Sequence, residues 1–198
     1  MENNFDIKEY ALREVNAIEN VNSKLITFTD LKNKLETNLS KTDYFTLDNS
    51  INILSNTMEG IKYYLGHGLG DEIGEKHIKL YGLMTALKMQ YDVILELYDN
   101  LDLNYYDGNS NIGFAKSSVM FYNFIQYPFG WEKNRNGYLL SKYSIDDYKF
   151  AYAFFNTRKE DKEKEDIEYY RKTAINHLEE LNDCLGEIIK MYQNGKGE

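Results

Sequence analysis

Histidine and acidic residues lie close together in one short stretch, where the sequence could hold a metal ion. His67 and His77 flank Asp71, Glu72 and Glu75. Such side chains bind metals when several of them converge with suitable spacing. The spacing here matches no HExxH-type ligand set, so the sequence predicts neither a metal site nor a cofactor.

A second chemical candidate is the pair Arg171 and His177, in the segment RKTAINH. Arginine can hold a phosphate with two hydrogen bonds, and histidine can move a proton near neutral pH. On one continuous helix, six positions place the two side chains about 120° apart around the axis and ~9 Å apart along it. The pair could form one site only across a dimer. The structural alternative is an exposed Arg171 with His177 at the edge of an apolar face.

The segment YNFIQYPFGW, residues 122–131, holds the only proline and the only tryptophan of the chain. No arginine or histidine lies between residues 115 and 132. Tyrosine has an unperturbed pKa near ~10 and carries no positive charge, but it can stack and form hydrogen bonds. Tyr122, Asn123, Tyr127 and Trp131 are therefore candidates for binding rather than for catalysis.

The residues GEKHIKLYGLMTALKMQYDVI, which begin at Gly74, resemble a segment of HEPN-type bacterial proteins (higher eukaryotes and prokaryotes nucleotide-binding). In that group a glycine-glutamate start, a KLYG-like core and a Q-x-D-x-I ending recur. Residues 112–155 are similar to the remainder of the family's domain: a helix, an RNxxxHP motif and a tyrosine-rich strand pair. The resemblance covers residues 47–155.

The resemblance implies that the ribonuclease motif of the family is degenerate in this chain. Tyr122 and Tyr127 stand at its arginine and histidine positions, while Asn123 and Pro128 match the family. Asp92 matches an acidic position that could hydrogen-bond to Asn123 or to a tyrosine hydroxyl. Active members resemble metal-independent RNA-cleaving dimers, so the double loss indicates a pseudo-ribonuclease that binds rather than cleaves.

The fold class predicted is all-α: an HEPN-like helical bundle, with a small β-hairpin before the long C-terminal helix, in a single domain of residues 1–198. With proline only at position 128, long helices are permitted almost everywhere. The predicted helices are residues 5–39 with a restart at 27–30, then 47–65, 75–101, 112–125 and 167–192. The predicted hairpin pairs residues 138–143 with 150–155, and the mixed-charge run 157–166 is expected to be an exposed loop or a first helical turn.

Helix-spaced apolar residues define an apolar face on the first, second and last predicted helices, and the length of the last one suits either a bundle core or a partner helix. In the second helix, Thr46 is the expected N-cap and the glycine-rich residues 66–74 the expected end, as a helix–helix connection. Cys184 is expected to be a small core residue. The expected first stripe is Ile7, Tyr10, Ala11, Val15, Ile18 and Val21; the second is Leu47, Ile51, Leu54, Met58, Ile61 and Leu65; the last is Ile167, Tyr170, Ala174, Leu178, Leu181, Leu185, Ile188 and Tyr192.

Composition restricts the class of protein. The formal net charge is −9, which argues against a broad basic surface for nonspecific nucleic-acid binding. The single cysteine cannot form an intramolecular disulfide, which fits a reducing compartment. No apolar stretch is long enough to span a bilayer, and the first residues lack a signal-peptide pattern. We expect a soluble cytoplasmic protein that does not act on membranes.

These observations predict a catalytically degenerate HEPN-like protein that forms a homodimer. It would act by binding a protein partner in bacterial defence, toxin–antitoxin systems or phage counter-defence. One alternative is a metal-independent HEPN endoribonuclease that acts as a dimer and binds RNA. Another is a module that binds a nucleotide or small signal molecule between tyrosine side chains. The balance of these features is against an enzyme.

Overall fold

The structure is a computed structural model, and it describes residues 7–101, 136–140, 145, 150–156, 164–168 and 170–194. Within these residues the chain forms four helices and three short strands. The helices are α1 (Ile7–Leu35), α2 (Lys41–His67), α3 (Ile73–Asn100) and α4 (Tyr170–Gln193). The predicted helical class is thereby confirmed, while the HEPN-like arrangement of the helices stays a prediction. The helix predicted over residues 112–125 lies outside the described residues.

The apolar stripe of α2 is buried as its spacing predicts. Its side chains recur in steps of three and four, so they share one face of the helix. Leu54 and Ile61 have no accessible surface, and Met58 between them is 1% exposed. The apolar residues of α4 from Tyr170 to Tyr192 are likewise buried as their spacing predicts, including both end residues.

Helix α1 is continuous through residues 27–30, so the predicted restart there is wrong. The hydroxyls of Thr27 and Thr29 donate to the carbonyl oxygens of Ser23 and Leu25, each at 2.9 Å. Because these hydroxyls bond to carbonyls four residues earlier in the same helix, they do not cap a new one.

Part of the apolar stripe of α1 lies outside the core. Ala11 is exposed and Val15 is 50% exposed, although both belong to the apolar stripe of the sequence. Periodicity reports that a helix has an apolar face, but not that another element covers every turn of it. From residue 11 onward, where the side chains of α1 are described, the buried ones are Ala17, Val21, Leu25, Phe28 and Leu31.

Helix α2 starts at Lys41 and is capped by Ser40, so the predicted cap at Thr46 was wrong. The Oγ of Ser40 accepts a hydrogen bond from the Asp43 backbone N–H at 3.1 Å and donates to the Asp43 carboxylate at 2.8 Å. The Ser40 carbonyl accepts the first intrahelical bond, from the Tyr44 N–H. This is the bonding pattern of an N-cap residue.

Replacing Ser40 with alanine is expected to lower the free energy of unfolding by about 1 kcal/mol, because the Asp43 N–H loses its partner. Thr46→Ala is the matched control, since Thr46 lies inside α2 and alanine has the higher helix propensity. Urea denaturation of the two variants measures the difference. A larger loss for Thr46→Ala than for Ser40→Ala would show that the cap is misassigned.

Glycines end α2, as predicted. The Gly68 N–H donates to the Tyr64 carbonyl at 2.9 Å, and Gly68 and Gly70 have φ values of 68° and 90°. Positive φ is strained for residues that carry a Cβ, so glycine suits both positions. Because α3 follows at Ile73, the stretch is a helix–helix connection rather than a phosphate-binding loop after a strand.

The strands β1 (Asn136–Leu140), β2 (Phe150–Asn156) and β3 (Lys164–Glu168) form an antiparallel sheet in the order β1-β2-β3. Tyr138 pairs with Phe154, and Ala151 pairs with Ile167. The sheet differs from the predicted two-stranded hairpin because β3 occupies part of the mixed-charge run. Ile167 consequently lies in β3 and not at the start of the last helix.

The chain divides into two compact units. Unit 1 comprises Met1–Glu59, Met89–Gly113 and Ile175–Glu198, and unit 2 comprises Gly60–Lys88 and Phe114–Ala174. The expectation of a single domain stays a prediction. Fully buried side chains of unit 1 include Phe28, Leu54, Ile94, Leu181 and Leu185; those of unit 2 include Ile61, Leu69, Leu80, Leu83 and Tyr170.

Candidate binding site

The predicted binding residues fall mostly outside the described part of the chain. Tyr122, Asn123, Tyr127 and Trp131 all lie there. Asp92 is described and lies exposed on α3, within unit 1. Its predicted hydrogen bond to Asn123 or to a tyrosine hydroxyl therefore stays a prediction.

Arg171 is half-buried rather than exposed as predicted. It lies in the first turn of α4, and its Nη2 donates a hydrogen bond to the carbonyl oxygen of Leu65. Leu65 is in the last turn of α2, where carbonyl groups have no partner within the helix. Both residues belong to unit 2. The guanidinium therefore has a structural role at the end of α2.

His177 lies in the interior of unit 1, and not at the edge of an apolar face as predicted. Its side chain has no accessible surface, and its Nε2 is 3.0 Å from the Oε1 of Gln90, which is equally buried. Because an amide oxygen only accepts, the imidazole donates from Nε2. Burial lowers the pKa of His177 to about 3, since the charged form loses its hydration.

The burial of His177 bears on the catalytic alternative. A general base must reach the proton that it abstracts, directly or through one water. An imidazole without accessible surface does not contact an RNA strand, and one with so low a pKa stays neutral near pH 7. The pair His177–Gln90 is therefore best understood as a buried polar contact. The Nε2 of Gln90 is also buried, and none of the described residues gives it a hydrogen bond.

The other two histidines of the chain are held locally in unit 2. The Nδ1 of His67 is 3.0 Å from the Tyr63 carbonyl, and the Nδ1 of His77 is 2.8 Å from the Ile73 carbonyl. The His67 ring also stacks on the Tyr63 ring, with centroids 4.4 Å apart. Among the residues that the structure describes, no three His, Cys, Asp or Glu side chains are placed to hold a metal ion.

Cys184 is a core residue, as predicted, and it is not placed to act as a nucleophile. It has no accessible surface, and burial raises the pKa of its thiol to about 12. The thiolate is the reactive form of cysteine, so the thiol is inert near pH 7. Nearby, the Tyr98 hydroxyl donates to the Glu187 carboxylate at 2.7 Å, and burial raises the pKa of Tyr98.

Helix α1 carries a second set of apolar side chains on the side that faces away from its core residues. Leu12 is 63% exposed, Val15 50% and Ile26 65%. At 100° per residue, these positions lie roughly opposite the buried face of α1. We call this surface the outer face of α1. Its residues are Leu12, Val15, Glu19, Asn22, Ile26 and Asp30.

A groove adjoins the outer face of α1 within unit 1. Its volume is about 480 Å³, within the range of ligand-binding clefts. Two carboxylates, Asp30 and Glu59, lie on its wall beside the apolar side chains of Leu25 and Ile26. The groove is lined by Asn22, Leu25, Ile26, Thr29, Asp30, Ser55 and Glu59.

Sequence reasoning missed both the groove and the outer face. The groove brings residues 22–30 of α1 to residues 55 and 59 of α2, a pairing that local periodicity does not report. The outer face did leave a signal: Leu12 and Ile26 are apolar but fall outside the apolar stripe identified on the first helix. Exposed apolar residues at helical spacing can mark an interaction surface.

No protein-family model, curated protein or solved structure matches this chain. The resemblance to HEPN proteins consequently stays an expectation from the residues named above. Within the described ranges, no helix has the length and apolar character needed to cross a membrane.

Proposed function

We propose that this chain acts by binding a protein partner, as a catalytically degenerate HEPN-like protein of bacterial defence, toxin–antitoxin systems or phage counter-defence. The observation that carries the binding part is the outer face of α1. Three large apolar side chains at helical spacing are each at least half exposed there. Exposed apolar side chains that recur along one helix face beside a groove are features that helix-in-groove binding uses.

The HEPN part of the proposal rests on sequence. Tyr122 and Tyr127 replace the arginine and histidine of the motif, while Asn123 and Pro128 are retained. The proposal includes an HEPN-like bundle with a β-hairpin before the last helix, a homodimer and a cytoplasmic location. In it, Tyr122, Asn123, Tyr127 and Trp131 bind rather than cleave, and Asp92 is a further binding residue.

The positions of the most reactive described side chains support a binding role over catalysis. His177 and Cys184 are fully buried, and their pKa values are moved away from neutral pH in the directions that keep both groups uncharged. Arg171 is engaged by a helix carbonyl. Such groups stabilise a fold but do not reach a substrate.

A ribonuclease assay in the presence of a chelator separates the proposal from the endoribonuclease alternative. The purified chain is expected to cleave single-stranded RNA no faster than a buffer blank. The proposal is contradicted by cleavage that follows the protein through purification and is lost in Arg171→Gln. Lys172→Gln, at the exposed neighbouring position, is the matched control, and circular dichroism checks that both variants are folded. His177→Ala is less informative, because it also removes a buried side chain.

A further inference from the structure

We infer that the outer face of α1 and its groove bind an amphipathic helix of a partner protein, with basic side chains among its apolar ones. This inference rests on the proposed function, since it names the kind of segment that the binding surface takes. The two can fail separately: a partner could bind to another surface of the chain.

The spacing of the apolar residues fits a helical occupant. Leu12 and Ile26 are fourteen positions apart on one helix, which corresponds to ~21 Å, or about four turns. A partner helix that lies along α1 would present anchors at helical spacing over the same distance. The groove begins at the Ile26 end, so it offers a concave seat for one end of that helix.

The charges of this surface define the partner further. Glu19 and Asp30 lie on the outer face of α1, and Asp30 also lines the groove. Neither the six residues of the outer face nor the seven residues of the groove include a lysine, arginine or histidine. Complementary charge favours a partner with lysine or arginine and disfavours an acidic segment or a nucleic-acid backbone. The net charge of −9 also attracts basic partners before contact is made.

A second copy of this chain is a poorer occupant than a basic helix. Antiparallel pairing of two α1 helices that sets Leu12 against Ile26 of the second copy would bring Glu19 to the twofold axis. There Glu19 would face its own symmetry mate, because residues whose numbers sum to 38 lie opposite each other. Like charges in direct opposition destabilise an interface.

Site-specific cross-linking identifies the occupant. The tagged full chain carries a photoreactive amino acid at position 26 or, as a control, at position 45, and is irradiated in an extract of the native host. Ile26 and Phe45 are almost equally exposed, at 65% and 62%, and both belong to unit 1. We expect position 26, but not position 45, to cross-link to a segment with apolar residues at helical spacing and lysine or arginine between them.

Substitutions test the same surface without a photoreactive group. Ile26→Asp and the double variant Glu19→Lys/Asp30→Lys are each expected to reduce the captured partner about tenfold or more, as expected for residues at the centre of an interface. Phe45→Asp introduces the same aspartate elsewhere in unit 1 and is expected to retain the partner. Circular dichroism of each variant checks the helical content.

The remaining outcomes contradict either this inference or the proposed function. A partner retained by both outer-face variants leaves the proposed function intact and refutes this inference. A cross-link from position 26 to a second copy, to an acidic segment or to nucleic acid also refutes it. If the unsubstituted chain captures no protein at all, the proposed function itself fails.

Discussion

Replacing Phe28 with alanine is expected to lower the free energy of unfolding by about 3–5 kcal/mol. Phe28 has no accessible surface, and its ring centroid lies 6.2 Å from that of Tyr192 in the last turns of α4. Truncation removes the hydrophobic contribution of the ring and leaves a void beside Tyr192. Protein interiors are close-packed and relax only partly around such voids.

Phe45→Ala is the matched control for Phe28→Ala. Phe45 is also on a helix of unit 1, but 62% of its side chain is exposed, so its loss should change stability by about 0.5 kcal/mol or less. Urea denaturation at pH 7 measures both variants. A loss below about 1 kcal/mol for Phe28→Ala would contradict the burial assigned to it.

The second large effect is a loss of stability in mild acid that originates at His177. Burial lowers the pKa of its imidazole to about 3, against 6.5 in an unfolded chain. The unfolded state therefore binds the extra proton at a higher pH than the folded state does. The contribution of neutral His177 is fully present above about pH 6.5 and is lost as the pH falls towards 3. Within this window the loss from this group is about 1.4 kcal/mol per pH unit.

Urea denaturation between pH 6.5 and 5 measures this dependence before most carboxylates take up protons. His177→Gln removes the titrating group, so the free energy of unfolding should change less with pH in this variant. This holds whatever the variant's stability at neutral pH. His77→Gln on α3 is the control that assigns the change to position 177. Should His177→Gln fail to fold, NMR of the unsubstituted chain answers the question. Imidazole signals of His177 that titrate near pH 6.5 would contradict its burial.

The sequence predicted the helices best where apolar residues recur without interruption. The stripe of α2 from Leu47 to Leu65 and that of α4 from Tyr170 to Tyr192 are buried as predicted. The buried face of α1 was predicted less well. Val15 continues the apolar pattern of the sequence, but half of its side chain is exposed. The start of a helix depends on which of several nearby hydroxyls bonds to a backbone N–H. We therefore predicted the N-cap of α2 at Thr46, whereas the structure has it at Ser40.

The candidate site was harder to predict than the helices. The groove depends on a contact between α1 and α2, and neither helix alone reveals it. The burial of His177 could have been inferred from its position three residues after Ala174 and four before Leu181, in the middle of the apolar stripe. We predicted an edge position for His177 because its side chain is polar. Inside the core, however, Gln90 supplies a hydrogen-bond partner for the imidazole.

Affinity capture from the native host tests the central claim, that this chain acts by binding a protein, most directly. The tagged chain is recovered from an extract, proteins in the eluate are identified by mass spectrometry, and nucleic acid is quantified in the same eluate. We predict one protein at a stoichiometric level, with nucleic acid no higher than in a tag-only control. RNA recovered without a protein partner would contradict the claim and favour the endoribonuclease.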